Sequence, residues 1–90
     1  MTQEDCKYYL SGQLYSLERY SDGQMHLAQE YYYPDGSLKT LIHYNYGILD
    51  GETRLYWPNG KLKRQCSFNL GKKEFDLFYD EEGSLIEDLC

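Results

Sequence analysis

The sequence predicts an all-β protein, a meandering antiparallel sheet of tandem β-hairpin repeats with about seven or eight strands. Three features predict this fold. Glycine, leucine and tyrosine recur with a period near 24 residues. Turn signals separate the recurring units. The segments between turns alternate apolar and polar residues with a period of two, as half-buried strands do, and none has helical periodicity over three turns.

Two columns of glycine set the period. The first column has spacings of 24, 24 and 23 residues: Gly12, Gly36, Gly60 and Gly83. The second has spacings of 24: Gly23, Gly47 and Gly71. Leucine stands two residues after each glycine of the first column, and tyrosine four residues before it: Leu14, Leu38, Leu62 and Leu85; Tyr8, Tyr32, Tyr56 and Tyr79. These columns predict one domain over residues 1–90, with copies at approximately 8–31, 32–55 and 56–78, a truncated copy at 79–90, and one deletion between Lys72 and Phe78.

The first glycine column marks hairpin turns. Two copies read Tyr33-Pro34-Asp35-Gly36 and Trp57-Pro58-Asn59-Gly60. Proline presets φ for the first turn position, and glycine accepts the left-handed conformation that closes a three-residue hairpin loop. The second glycine column then marks the intervening turns.

Alternation along the strands predicts two different faces. Ile42 and Tyr44 share one face with Cys66 and Phe68 of the next copy, whereas Glu30 belongs to the other. One face is therefore expected to be apolar and aromatic, and the other to mix charge with tyrosine. Because an apolar sheet face must be covered, the sheet should either curl on itself or meet a partner.

The charge argues against direct binding of nucleic acid, because the formal net charge is −6 and phosphate backbones require a positive surface. The charges are also segregated: residues 54–73 carry six bases and no acid, and residues 74–88 carry seven acids and no base. Such an acidic region can steer a basic partner or simply solubilise the chain. The polar N-terminal residues and the three widely spaced cysteines favour a cytoplasmic location with reduced thiols.

The segment from Tyr44 to Leu62, which reads YNYGILDGETRLYWPNGKL, resembles a MORN-type repeat (membrane occupation and recognition nexus). It is especially similar to the variant found in bacterial proteins described as antitoxins. The resemblance covers residues 8–89 and implies a β-hairpin solenoid that binds protein or lipid, with no catalytic residues. The chain departs from the pattern where Gly51 has no counterpart in the other copies, and where Glu81-Glu82 replaces the Pro-Asn pair.

No catalytic, cofactor or metal signature is present in the sequence. The two histidines, His26 and His43, occupy different repeat positions and accompany no nucleophile signature. The cysteines lack the short spacing of a zinc site, and Cys66 is expected to be a small core residue. We therefore expect a protein that is not an enzyme and needs no cofactor or metal.

Partner contact is predicted from tyrosine and acidic side chains. Tyrosine is enriched at binding hot spots, although a tyrosine column also stabilises neighbouring strands. Tyr9, Tyr15 and Tyr46 are the less regular aromatics and are therefore candidates for partner-specific contact. The full set of predicted partner-binding residues is Tyr8, Tyr9, Tyr15, Tyr32, Tyr46, Tyr56, Tyr79, Glu30, Glu52, Asp80, Glu81 and Glu82.

The first functional hypothesis is an immunity protein or antitoxin that neutralises a basic toxin domain, such as a nuclease, by occluding its active site. One alternative is a membrane-surface or scaffolding module, although the net acidity works against membrane binding. Another is an inhibitor that mimics the charge of nucleic acid. The unpaired terminal strands also allow a homodimer through the sheet edges. The alternative module would use one basic cluster: Lys61, Lys63, Arg64, Lys72 and Lys73.

Overall fold

The computed structural model describes residues 2–88 and contains one antiparallel sheet, which confirms the predicted all-β meander. Residues 1, 89 and 90, including Cys90 of the predicted truncated copy, lie outside the described residues. The strands are β1 (Thr2–Tyr8), β2 (Leu14–Ser21), β3 (Gln24–Met25), β4 (Leu27–Tyr32), β5 (Leu38–Asn45), β6 (Ile48–Tyr56), β7 (Leu62–Asn69), β8 (Lys72–Tyr79) and β9 (Leu85–Asp88). Eight strands follow one another across the sheet, and the two-residue β3 pairs with β2 beside this path.

One end of the sheet carries four copies of the same hairpin loop. In the first copy, the Gly12 N–H donates to the Tyr9 carbonyl at 2.9 Å, and the Tyr9 N–H donates to the Gln13 carbonyl at 2.9 Å. The same pair of bonds closes the loops at 33–37, 57–61 and 80–84. The glycine has a φ between +89° and +98° in every copy, so this position favours glycine. The three-residue loops predicted from the glycine column are thus confirmed.

The opposite end carries two-residue turns at 22–23, 46–47 and 70–71. Both residues of each turn have positive φ, which is the conformation of a type I′ hairpin turn and matches the right-handed twist of the flanking strands. Asp22 tolerates the left-handed conformation well, whereas Leu70 adopts it at a φ of +46° with a side chain that is 63% exposed. The two turn types alternate, and together they produce the 24-residue period.

A bulge interrupts each repeat in the middle of its second strand. Leu27 has a φ of +71° where the next copy has Gly51 at +102°, and the chain between β3 and β4 leaves the ladder at His26. In the third copy the ladder shifts by one residue at Glu74, where Ser67 pairs with Phe75 and Phe68 with Lys73. The predicted deletion therefore falls in this bulge, where the loss of a residue leaves the strands on either side in register.

The sheet is a single layer. Its Cα atoms span 39 × 36 × 11 Å, so it does not curl on itself, and this part of the expectation was wrong. Among residues 2–88, Cys66 is the one buried hydrophobic side chain, and the most deeply buried side chains are polar: Ser16, Gln29 and Asp76. The faces remain open because the chain supplies no second layer to cover them.

Aromatic side chains link each hairpin to the next. The Tyr9 hydroxyl donates to the Tyr32 carbonyl at 2.7 Å, and the Tyr33 hydroxyl donates to the Tyr56 carbonyl at 2.7 Å. In the third copy the indole Nε1 of Trp57 donates to the Tyr79 carbonyl at 3.2 Å. We call these three contacts the aromatic ladder. Each contact joins two copies, so the ladder fixes the stacking of neighbouring hairpins.

Leu70→Asn should stabilise the protein by about 1 kcal/mol, because asparagine adopts the left-handed conformation of this turn at lower cost than leucine. The free energy of unfolding in urea measures the effect. Leu70→Ala is the matched control: it retains Cβ and the unfavourable φ, so it should stay within about 0.5 kcal/mol of the native protein. Equal gains for both variants would mean that removal of an exposed apolar side chain, not turn geometry, causes the effect.

Candidate functional site

The strand register defines two rows of side chains on one face of the sheet, which we call the apolar face. Residues directly opposite each other in an antiparallel ladder point to the same side. The first row crosses five consecutive strands as Tyr31, Thr40, Leu55, Arg64 and Phe78. The second row crosses the same strands as Gln29, Ile42, Thr53, Cys66 and Asp76. The rows confirm the predicted apolar grouping of Ile42 with Cys66, but they also contain buried polar residues that periodicity did not predict.

A shallow depression occupies the centre of the apolar face and has a volume of about 210 Å³. Its aliphatic and aromatic lining comes from β5, β6 and β7. Each of these side chains except Cys66 is partly exposed, so the depression opens to solvent. The lining residues are Ile42, Tyr44, Leu49, Thr53, Leu55, Arg64, Cys66 and Phe68.

Asp76 anchors one side of this depression. Its side chain is 0% exposed and accepts hydrogen bonds from Arg64 Nε at 2.8 Å and Nη2 at 2.5 Å. Lys73 Nζ lies 3.1 Å from Oδ2, and the Cys66 thiol donates to Oδ1 at 3.0 Å. The carboxylate is thus surrounded by donors from β7 and from its own strand β8, which is what a buried charge requires.

This cluster has two electrostatic consequences. The hydrogen bonds from Arg64 hold the pKa of Asp76 far below its ordinary value, against the opposing effect of burial. Burial and the hydrogen bond to Asp76 raise the pKa of the Cys66 thiol to about 11. Cys66 therefore remains a protonated donor at neutral pH and has none of the thiolate character of a catalytic cysteine.

A second buried carboxylate, Glu18, lies on β2 towards the other edge of the apolar face. It accepts hydrogen bonds from the Tyr31 hydroxyl at 2.7 Å and the Tyr20 hydroxyl at 3.2 Å, and Lys7 Nζ lies at 3.7 Å. Burial and contact with Glu18 raise the pKa of both tyrosines. Both phenols therefore remain protonated and neutral at physiological pH.

The opposite face carries an ion-pair network around Arg19, and we call it the mixed face. Arg19 Nη1 donates to Glu30 at 2.7 Å, and Nε donates to Glu4 at 3.3 Å. The Tyr32 hydroxyl donates to Glu30 at 2.5 Å, and this bond together with burial raises the pKa of Tyr32 to about 12. Burial raises the pKa of Glu30, but the hydrogen bonds from Tyr32 and Arg19 together lower it below its ordinary value. The predicted mixture of charge and tyrosine on this face is confirmed.

The predicted tyrosines are dispersed over the molecule. Tyr9 and Tyr15 pack edge to face with ring centroids 5.0 Å apart. Tyr46 stacks on His26 at 4.0 Å, and Tyr8 is 63% exposed on the edge strand. The column of Tyr8, Tyr32, Tyr56 and Tyr79 coincides with the ladder shift that precedes every three-residue loop. Its regular recurrence thus has a structural cause.

The predicted acidic residues divide between two places. Glu52 pairs with Arg54 at 2.6 Å, within the central strand β6. Asp80, Glu81 and Glu82 form the fourth hairpin loop, where Asp80 Oδ1 accepts the backbone N–H groups of Glu82 and Ser84. Only the loop residues form a compact acidic group, and Asp80 serves there as a turn cap.

The basic residues that the hypothesis of a membrane-surface module would use do not form one surface. Lys63 and Arg64 are adjacent on β7 and therefore point to opposite faces, as do Lys72 and Lys73 at the start of β8. Lys61 lies in a three-residue loop, at the end of the sheet opposite the 70–71 turn. Arg64 and Lys73 are also neutralised by Asp76. Among the described residues no helix is long and apolar enough to span a bilayer.

The sequence analysis missed the two buried polar residues of the apolar face, Gln29 and Asp76. Gln29, Thr53 and Asp76 follow the repeat spacing of 24 and 23 residues and occupy equivalent positions in three copies. The Gln29 amide accepts from the Arg19 N–H at 2.6 Å and donates to the Arg19 carbonyl at 2.9 Å, bridging the gap between β2 and the bulge. The repeat spacing was the available signal, because it identifies a polar column in the middle of the strands.

The fold and the site define a class of protein: a single-layer sheet of tandem hairpins with two open faces. No group of three or more potential metal ligands occurs among the described side chains of residues 2–87. Residues 25–46 and 49–70 match the family described as a MORN repeat variant, so these two tandem segments are similar to that repeat. Each matched segment contains one three-residue loop. The match supports a repeat module with a binding role.

Neither a curated protein nor a solved structure matches the chain. The two matched segments begin after the two-residue turns, whereas the predicted copies begin near the tyrosine column. The difference is one of phase, because a tandem array has no intrinsic starting point.

Asp76→Asn should reduce the free energy of unfolding at pH 7 by about 2 kcal/mol. Removal of one partner from a fully buried pair typically costs about 3–5 kcal/mol, and the partial exposure of Arg64 and Lys73 lessens the loss. Folding lowers the pKa of Asp76 from its ordinary value of 3.8. The carboxylate therefore makes its full contribution to the free energy of unfolding when the pH is above 3.8, and this contribution is lost as the pH falls below 3.8.

The difference in stability between the native protein and Asp76→Asn should therefore shrink between about pH 5 and pH 2. Chemical unfolding across this range measures it. Glu81→Gln, which changes an exposed loop carboxylate, is the control and should differ little from the native protein. A gap between Asp76→Asn and the native protein that stays constant with pH would contradict the assignment of this carboxylate as the stabilising anion.

Proposed function

We propose that the chain is a protein-binding module that neutralises a basic partner, in the manner of an immunity protein or antitoxin acting on a toxin such as a nuclease. It acts by occupying the partner's active site and catalyses no reaction. It works without a cofactor or metal, and it does not contact nucleic acid itself. The location proposed is the cytoplasm, where Cys6 and Cys66, both unbridged, would remain reduced.

The observation that carries this proposal is the uncovered apolar face. A single-layer sheet only 11 Å thick leaves Ile42, Tyr44 and Phe68 partly exposed around a concave centre. A partner that rests on this face would supply the second layer that a sheet normally packs against. The sheet measures 39 × 36 Å, so one of its faces has a larger area than the roughly 800 Å² per partner that a stable complex buries.

Charge supports a basic partner. Several basic side chains are neutralised within the molecule, because Lys7, Arg19, Arg54, Arg64 and Lys73 form ion pairs. Glu81 and Glu82 of the fourth loop are exposed, and the protein carries a net charge of −6. Such a field accelerates the encounter with a positively charged domain and opposes binding to phosphate backbones or anionic lipid.

The proposal predicts a one-to-one complex with a basic toxin encoded beside the chain. Glu81→Lys should slow association about threefold to tenfold at low ionic strength, and the difference should vanish at high salt, because a rim charge acts through long-range steering. Stopped-flow or surface-binding kinetics measure the rate constants. Asp80 is left unchanged because it caps the loop.

Asp22→Lys is the matched control for this experiment. It reverses an exposed charge in a two-residue turn at the other end of the sheet, so its effect on association should be smaller. Equal slowing by both variants would assign steering to net charge alone. Unchanged kinetics with Glu81→Lys would remove the fourth loop from the mechanism.

Two measurements separate the remaining alternatives. Co-sedimentation with phosphatidylserine vesicles at low salt should recover no protein, since the basic residues are divided between faces; recovery would favour the membrane module. Light scattering over a range of concentrations tests the homodimer through the exposed edge strand β1, which carries Glu4, Asp5 and Lys7 as charges that disfavour edge pairing.

A further inference from the structure

The fourth hairpin contains a shallow cavity, open to solvent, that none of the foregoing roles uses. It has a volume of about 420 Å³ and combines apolar and acidic walls. Trp57, Phe78 and Ile86 form its apolar part, and Asp80, Glu81 and Glu82 line the remainder. It shares no lining residue with the depression at the centre of the apolar face, although Phe78 lies directly opposite Arg64 of that depression in the strand ladder.

The cavity follows from one departure in the repeat. Tyr9, Tyr33 and Trp57 occupy equivalent positions in the first three copies, and the fourth copy has Asp80 there. The short Asp80 side chain turns back to cap its own loop, with Oδ1 at 2.9 Å from the Glu82 nitrogen and 3.0 Å from the Ser84 nitrogen. The fourth loop, at 80–84, therefore lacks the aromatic ring that the other three loops carry, and the cavity lies at this fourth loop.

The apolar wall is held in place. The Trp57 Nε1 is fixed to the Tyr79 carbonyl at 3.2 Å, as the last contact of the aromatic ladder. This indole already interacts with a cation, because Lys63 Nζ lies 4.7 Å from its ring centroid. Lys63 is not among the residues that line the cavity.

The acidic wall is held by its backbone and presents its carboxylates. The Glu81 carbonyl accepts from Asn59 Nδ2 at 2.8 Å, and the Glu82 carbonyl accepts from Lys61 Nζ at 3.1 Å. These contacts fix the loop against the third hairpin, while both glutamate residues remain exposed. Flat aromatic surface beside paired carboxylates is the combination that a guanidinium group recognises, since it stacks on rings and donates in a planar fork.

We propose that this cavity binds an arginine side chain of the protein partner, with the guanidinium stacked on Trp57 or Phe78 and hydrogen-bonded to Glu81 and Glu82. The assignment rests on the proposed function, because it names the chemistry by which the fourth loop recognises a basic partner. Lysine would bind more weakly because an ammonium group cannot donate in a fork or stack on a ring.

The chain contains a single tryptophan, so intrinsic fluorescence reports this site directly. Titration with a tetra-arginine peptide should produce a saturable change in Trp57 emission, and a tetra-citrulline peptide of the same shape without charge should bind at least about tenfold more weakly. Glu81→Gln and Glu82→Gln should each weaken the arginine peptide about twofold to fivefold, the loss expected for one partly exposed charge. Asp22→Asn, which removes a distant exposed carboxylate, should leave it unchanged.

Three further variants separate the aromatic contribution from charge. Phe78→Leu retains apolar volume but removes a ring, and should weaken the binding of the tetra-arginine peptide more than that of a tetra-lysine peptide. Asp80→Tyr combined with Glu82→Asn places an aromatic and the turn cap of the third copy in the fourth loop and should abolish binding; Asp80→Asn combined with Glu82→Asn removes the same two charges without adding a ring, and should retain more of the binding. Circular dichroism confirms that each variant folds.

Three results would overturn the assignment: equal binding of the citrulline peptide, equal weakening by Asp22→Asn and Glu81→Gln, or undiminished binding when Asp80→Tyr is combined with Glu82→Asn. A tight toxin complex that is unaffected by Glu81→Gln and Glu82→Gln would refute the arginine site and leave the proposed function standing. Arginine-specific binding without a complex with any basic toxin would refute the proposed function and retain the site.

Discussion

The absence of an interior is the constraint on which this structure depends. A sheet one layer thick cannot enclose its side chains, so hydrophobic burial contributes less here than in a sandwich or a barrel. Cohesion comes instead from the continuous backbone ladder and from polar side chains that bridge its irregularities. Asp76 and Gln29 illustrate this, because both are 0% exposed and both bind atoms on an adjacent strand.

The polar clusters also determine what the apolar face can do. Glu18 and Asp76 lie on opposite sides of its centre, and each is surrounded by donors from its own sheet. Neither offers an unpaired buried charge to a substrate, and the protonated thiol of Cys66 is a hydrogen-bond donor. The central surface is therefore suited to apolar contact, whereas the exposed carboxylates lie in the loop of the fourth hairpin.

The sequence predicted the meander, the loops and the faces because these depend on local rules. Gly36 and Pro34 specify a turn whatever surrounds them, and alternation along β5 assigns Ile42 to a face without knowledge of the neighbours. Burial is different, because it depends on which strands meet. Nothing local distinguishes the buried Asp76 from the exposed Glu74, and only the three-dimensional register places Arg64 and Cys66 beside it.

The candidate site was predicted less completely for the same reason. The acidic loop was found because its residues are consecutive, but Trp57 is distant in sequence and meets it only after folding. The need to cover apolar surface left two alternatives, a sheet that curls on itself or one that meets a partner, and nine short strands with regular turns build a flat array that excludes the first. An additional strand, β3, arises because Leu27 adopts a positive φ, which the sequence did not predict because leucine rarely takes this conformation.

The aromatic ladder gives the array a direction. Each donor reaches forward in sequence, from Tyr9 to the second hairpin and from Tyr33 to the third, and no described copy reaches backward through this position. A 24-residue unit spliced into the middle of the chain would receive one such bond and supply another, so the array is modular and could be lengthened by duplication. If the fourth hairpin were duplicated instead, the aromatic ladder would stop there, because Asp80 has no ring that could donate a hydrogen bond to the next hairpin.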